Sequence, residues 1–323
     1  MQKIIFLISL LFIFFGCNSL KESKGLYNEI IIISSIEDKF LVNDSIDSLF
    51  ADFTNTPSKE FLYDVKWINP NYFRDYLEYK NLLFISISSP KDSTIDNLVN
   101  QFVNNYKQNI FTLSDVYANN QLLMIVKSDN SITFLRDIEK NKDWIIENIE
   151  NNISNIINNY LYKQGRDVEI EQHLKAYYGI SSKIQNDYMI IKNDSINKNF
   201  TWIGRGYPYR WLTFMKFNYE KTSSVWDEYK KFVSKNMVNV KISDYYKNIL
   251  FESDDIVKIQ GLYEEEYSNS GGPFIAYAKF DGLKNEIFIV SGFVNNPGKS
   301  KNKLLKELEV QIKNIIYEGK YEK

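Results

Sequence analysis

The chain is nearly devoid of thiol and imidazole: among 323 residues there is one cysteine, Cys17, and one histidine, His173. A single cysteine closes no disulfide within the chain and builds no thiolate metal site, so folding must rest on packing. A single histidine rules out multi-histidine metal ligation, and no Gly-x-Ser-x-Gly elbow accompanies it to suggest a hydrolytic triad. We read His173, between Ile170, Leu174 and Tyr177 on an expected helix, as a structural or surface histidine. Basic runs are missing as well. Lys and Arg number 39 against 41 Asp and Glu, and no basic stripe is interleaved with aromatics, so nucleic acid is not an expected partner. No calcium-loop spacing occurs, and residues 268–273, with Gly271-Gly272, lack the Gly-Lys-Ser/Thr ending of a phosphate loop. Neither a metal nor a cofactor is expected.

What is present begins at the N-terminus. Residues 4–15 are apolar except Ser9, follow Lys3, and end in Phe14-Phe15-Gly16-Cys17. A run of about 12 is too short for the ~20 residues of a spanning helix and fits the core of a signal peptide. Gly16-Cys17 resembles the lipobox of bacterial lipoproteins, in which cleavage precedes the cysteine and its thiol takes a diacylglyceryl group. Phe14 and Phe15 depart from that pattern, where Leu and a small residue are commoner. By the same resemblance Asn18, being other than Asp, implies sorting to the outer membrane. The expectation is a signal peptide over residues 1–16, lipidation at Cys17, a tether over 17–27 and a location in the cell envelope. Two or three acyl chains hold such an anchor, since each buried methylene contributes about 0.8 kcal/mol.

With 44% hydrophobic and 15% aromatic residues the remainder is globular and long enough for two domains. Hydrophobic periodicity suggests a pattern that occurs twice. In the first half an apolar run at 82–87 leads to a helix with Ile95, Leu98, Phe102 and Tyr106 on one face, started by Ser93 with Asp96. Strands at 110–117 and 122–126 follow, then a helix carrying Ile138, Ile145, Ile149, Ile153, Ile156 and Tyr160. In the second half a strand at 211–217 precedes Ser224 with Asp227 and a helix faced by Trp226, Tyr229 and Val233. Strands at 274–280 and 287–290 and a helix with Leu304, Leu305, Leu308, Ile312, Ile315 and Ile316 complete it. Further elements are a strand at 29–34, a helix around Ile46, Leu49, Phe50 and Phe53, a helix at Val168–Tyr178 and a strand at 187–192. The expected class is α+β: two related ferredoxin-like α/β sandwich units with mostly antiparallel sheets, over 28–165 and 166–323, as an internal repeat.

Two segments carry candidate chemistry. In Trp202-Ile203-Gly204-Arg205-Gly206-Tyr207-Pro208-Tyr209-Arg210-Trp211, the glycines let a ligand approach the backbone. Arg205 and Arg210 offer bidentate donors, and Trp202, Tyr207 and Tyr209 offer stacking faces. The competing reading is a bulged turn with the arginines paired to acids and the aromatics in the core. Glu264-Glu265-Glu266 supplies carboxylates, of which Glu264 and Glu266 share a face on a strand. They suit a glycosidase pair if they face each other across a cleft, or a solvated edge if they do not.

Pro208-Tyr209-Arg210-Trp211-Leu212, Gly271-Gly272-Pro273-Phe274 and Gly292-Phe293-Val294-Asn295-Asn296-Pro297-Gly298 resemble a Bacteroidetes lipoprotein family catalogued as domain of unknown function 4837. The resemblance extends over essentially the whole mature chain. It implies an envelope lipoprotein and no particular catalysis. The expected function is a membrane-anchored, non-enzymatic binding or assembly module with an envelope protein or glycan as partner. The alternative is a cell-wall glycan hydrolase using Glu264 or Glu266 with Arg205 or Arg210, and a third reading is a structural subunit of a larger assembly.

Overall fold

Three uninterrupted apolar runs become parallel strands. In the computed structural model, which describes residues 20–87, 93–219, 224–268 and 270–318, the chain divides into two compact units. The first holds β1 (Glu29–Ile33), α1 (Ile36–Leu49), β4 (Asp64–Ile68), a short α2 (Phe73–Tyr76), β5 (Asn81–Ser86), α3 (Ser93–Tyr106), β6 (Ile110–Ser114) and β7 (Leu122–Lys127). It also takes the first part of α4 (Ser131–Leu161). Its sheet runs β4-β1-β5-β7-β6, parallel at every pairing except the antiparallel β6. Strands buried on both faces read as continuous hydrophobic runs, and β1 and β5 are buried at every residue. On one face Ile31, Ile33, Leu82, Phe84, Leu123 and Ile125 pack with Ile95 and Val99 of α3. Ile30, Ile32, Leu83 and Ile85, which alternate to the opposite face, are buried as well.

The second unit comprises residues 50–63 and 153–323. After α5 (Val168–Tyr178) come β8 (Met189–Asn193), β9 (Phe200–Arg205), β10 (Tyr209–Asn218), α6 (Val225–Asn236), β11 (Val240–Phe251), β12 (Ile256–Glu265), β13 (Gly271–Asp281), β14 (Glu286–Asn295) and α7 (Asn302–Lys313). A π-helical turn, Asn314–Glu318, follows. The sheet order is β11-β12-β13-β14-β10-β9-β8, antiparallel throughout. Strand alternation sends Ile203, Leu212, Phe214, Ile275, Tyr277 and Val290 to a face covered by α5 and α7. Phe200, Met215, Phe274, Ala276, Ile289 and Phe293 go to the other, covered by α6. Helix α5 starts at Asp167, whose carboxylate accepts the Ile170 N–H (2.9 Å), and stops at Gly179 in the left-handed conformation (φ 68°). Ser224 accepts the Asp227 N–H to open α6, as the sequence pattern requires.

The hairpin of β2 (Phe53–Asn55) and β3 (Lys59–Phe61) lies in sequence among first-unit elements but belongs to the second unit. It supplies a missing cap. Lys301 precedes α7 and makes no capping bond of its own, a poor residue at that position. The Glu60 carboxylate instead accepts the N–H groups of Lys301 (2.9 Å) and Asn302 (3.0 Å) and the Ser300 hydroxyl. Burial alone would raise the Glu60 pKa, but these bonds and one from Thr56 outweigh it and hold the group below the usual carboxylate value.

The α+β class with sheet-based units stands, and four details differ from expectation. The five-stranded sheet is mostly parallel, helices cover both faces of the seven-stranded sheet, and β11 and β12 interpose two strands between α6 and β13. The two sheets therefore differ in strand order and direction. The boundaries differ too, because 50–63 and 153–165 join the second unit instead of the first. Residues 1–19, with the expected signal peptide and Cys17, lie outside the described residues, as does the Ser93 side chain. Within the expected tether, Glu22 and Lys24 bridge to Asn119 and Tyr79, so the chain is already fixed by Glu22.

Candidate functional site

All the segments singled out for chemistry converge on one end of the seven-stranded sheet. Register places Tyr209 opposite Asn295, Trp211 opposite both Gly204 and Phe293, and Met189 opposite Gly204. Because directly paired residues share a face and i, i+2 neighbours do too, Met189, Gly204, Tyr209, Trp211, Asn295 and Glu265 all point to the α6 side. Gly204 contributes no side chain to that face, and Gly206, two residues on, contributes none either. A Cβ on Gly204 would stand 2.5 Å from Ile191 Cδ1 and 2.8 Å from Trp211 Cδ1, whereas one on Gly206 would meet nothing within 4 Å. Ile191 and Trp211 thus close over Gly204, and the space left open at Gly206 is a trough walled by Met189 and Ile191 on one side and Tyr209 and Trp211 on the other. The resulting cavity has a volume of about 610 Å³, and Glu265, Ser270, Asn295 and Pro297 close its far end.

Its polar end is organised by Asn295, which is 7% exposed. Its Nδ2 donates to Glu265 Oε1 (3.1 Å) and to Ser270 Oγ (3.0 Å). A carboxylate only accepts, so the amide nitrogen must be the atom that faces Glu265. Asn295 Oδ1 is thereby turned away, buried and without a hydrogen-bond partner. Glu265 Oε2 accepts from the Ser268 hydroxyl (2.7 Å). Among the described residues no cation pairs with Glu265. A second depression of about 420 Å³, lined by Leu262, Glu264, Gly271, Gly272 and Pro57, adjoins at Ser270 and Pro297.

The same alternation that builds the trough removes Arg210 from it and leaves Arg205 at its margin. Arg205 is opposite Arg210, and both fall to the α5/α7 side. Arg210 is buried in an ion pair with Glu307. Arg205 pairs with Asp187, donates to Gln185 Oε1 (2.9 Å) and lies over the Tyr188 ring; it lines the cavity with its guanidinium already engaged. Trp202 shares the α6 face but packs edge-on against Trp211 (5.4 Å) beside the core. Tyr207 and Tyr209 are exposed in and after the turn, their rings 5.9 Å apart. Glu264 and Glu266 alternate away from Glu265, and both are exposed, Glu266 pairing with Lys241 (2.6 Å). His173 rests on the Tyr177 ring (3.9 Å) with Nε2 3.3 Å from Thr201 Oγ1, and burial lowers its pKa. Met189, Ile191, Glu265, Ser270 and Asn295 complete the cavity without having been singled out as site residues. Glu265 was legible by parity alone, since it is the residue between two carboxylates assigned to the other face.

Residues 167–314 match a domain of unknown function, DUF4837. The DUF4837 segment takes in β8 to β14 and with them every wall of the cavity. Residues 23–161 match a different model, also a domain of unknown function, DUF8532. The resemblance to DUF4837 therefore covers the C-terminal half and not the whole mature chain. No curated protein matches the chain. Among the described residues no group of three or more His, Cys, Asp or Glu is placed to hold a metal ion, and no helix is long and apolar enough to cross a membrane.

Proposed function

We propose that this chain is a lipid-anchored envelope protein whose DUF4837 segment is a non-enzymatic binding module, with recognition at the Gly204/Gly206 trough. The observation that carries the binding reading is the cavity itself: apolar and aromatic walls with a few convergent polar groups at one end are the usual composition of a ligand site. The anchoring reading rests on the residues around Cys17, and the outer-membrane location on Asn18. The glycan-hydrolase alternative loses its support, because Arg205 and Arg210 are engaged by Asp187 and Glu307 and because Glu264 and Glu266 stand exposed. A glycosidase acid needs a carboxyl whose proton is retained by burial or by a facing carboxylate.

Growth with radiolabelled palmitate tests the anchor: label on the protein, abolished by Cys17→Ser, is expected, and an unlabelled wild-type chain overturns it. Affinity capture from gently solubilised membranes tests the module. A bound protein or glycan that is lost on substituting Gly206 with leucine is expected, and capture of the same companion by both forms places recognition elsewhere.

A further inference from the structure

The polar end of the trough is built around a carboxylate. Asn295 Oδ1 is buried without a donor, its orientation dictated by the carboxylate that holds its nitrogen. Glu265, the next group along, has among the described residues only neutral donors, Asn295 Nδ2 and the Ser268 hydroxyl, at its carboxylate. Two cations nearby are engaged elsewhere, Arg205 by Asp187 and Gln185 and Lys241 by Glu266, and Lys299 lies over the Tyr207 ring. Between this end and the open edge stand the Trp211 and Tyr209 rings and the Met189 and Ile191 side chains.

We infer that the trough binds an organic cation, an ammonium or guanidinium group carried on an apolar or aromatic body. The cationic N–H groups donate to the Glu265 carboxylate, a charge-assisted pairing that a neutral hydroxyl matches only in part and a carboxylate ligand opposes. The apolar body lies along the floor left open at Gly206, and the indole of Trp211 and the phenol of Tyr209 attract the cation through their ring faces as it passes. This inference rests on the reading of the trough as a recognition site and adds the charge and shape of what it takes. The cation can be a free amine or a lysine or arginine side chain flanked by apolar residues in a peptide.

Saturation-transfer NMR and calorimetry on the full chain in lipid nanodiscs, corrected with empty nanodiscs, distinguish these outcomes. The probes are phenethylammonium and benzamidinium, the neutral phenethyl alcohol, the anionic 3-phenylpropionate, and the capped tripeptides Leu-Lys-Leu and Leu-Glu-Leu. Both small cations bind, at least about tenfold more tightly than the alcohol, and the anion does not. Glu265→Gln, which keeps the amide contact but removes the charge, erases about tenfold for the cations and leaves the alcohol unchanged. Gly206→Leu, at a position where a side chain meets no neighbour, abolishes binding of every probe. Preference for Leu-Lys-Leu over the small amines identifies a peptide source, and the reverse identifies a free amine. Equal binding of anion and cation overturns the inference and leaves the recognition site standing. Absence of binding by any probe, or binding that survives Gly206→Leu, overturns both.

Discussion

The two sheets treat their edges and faces in opposite ways. In the five-stranded sheet the parallel strands come with crossover helices, and β1 and β5 are buried at every residue. In the seven-stranded sheet β8 to β10 and β11 to β14 follow one another by antiparallel connections, α6 joining the two sets, and the edge strand β8 is exposed at all five of its residues. A parallel connection must return across a face and so covers it, whereas an antiparallel turn covers nothing. The uncovered end of the second sheet is therefore a product of its connectivity, and that is where the cavity forms.

Substitutions can break or sharpen this contrast. The largest effects belong to the cores, where the two units should behave alike. Phe84→Ala in β5 and Phe293→Ala in β14, both fully buried, should each cost about 3–5 kcal/mol in urea denaturation. A cost under about 1 kcal/mol at either site would mean that its core is loosely packed. Next comes Glu309 on α7, which accepts from Lys258 Nζ (2.6 Å), the Tyr277 hydroxyl (2.9 Å) and Lys306 Nζ (3.1 Å). Burial pushes its pKa up, but Lys306, Lys258 and Lys313 together outweigh that and hold it well below the ordinary 4.5. Glu309→Ala should cost about 3 kcal/mol, because it leaves buried cationic and phenolic donors unpaired. A group depressed in the folded state stabilises fully above its unfolded pKa and progressively less as pH falls from there through the folded value. Acid titration of stability should thus show a loss beginning near pH 4.5 that is absent in the alanine variant.

Helix caps come third. Glu60→Ala should cost about 1–2 kcal/mol and Ser224→Ala about 1 kcal/mol, both by thermal melts. The Glu60 effect should fade as pH falls through its lowered pKa, while the Ser224 effect should not. The smallest effect is the sharpest comparison: Met189→Ser on the exposed β8 should change stability by less than about 0.5 kcal/mol. Ile32→Ser in the buried β1 should be severely destabilising, and a comparable loss at Met189 would show that β8 is covered in solution.

Much of this was legible along the chain, and the failures have physical causes. The hydrophobic faces of α5, α6 and α7 follow helical spacing as the periodicity predicts, whereas on α3 Val99 is buried and the expected Tyr106 is exposed. The apolar runs at 30–33, 82–87 and 122–126 were visible, but continuous apolarity is the mark of strands buried on both faces, and taking them as antiparallel ignored it. Strand β11 went unseen because a register shift between Ile242 and Lys247 breaks its alternation and its edge position keeps it polar. In the site the segment around Gly204 was found and its chemistry assigned to the wrong residues. Arg205 drew notice as a charge between glycines, yet strand parity gives the two glycines one face and the arginine the other. Asn295 carries no signal in isolation, since an asparagine at a strand end is ordinary until its partner, 30 residues away, is known.

The β2–β3 hairpin changes what counts as half of this protein. Cutting between 161 and 167, where the two family matches part, separates Glu60 from the helix it caps. A DUF4837 fragment expressed alone would carry α7 with its first amides open to solvent, and one supplied with a peptide spanning residues 50–63 should recover the lost stability. Any rearrangement that parted the two segments would leave the start of that helix without its acidic cap until another side chain took its place.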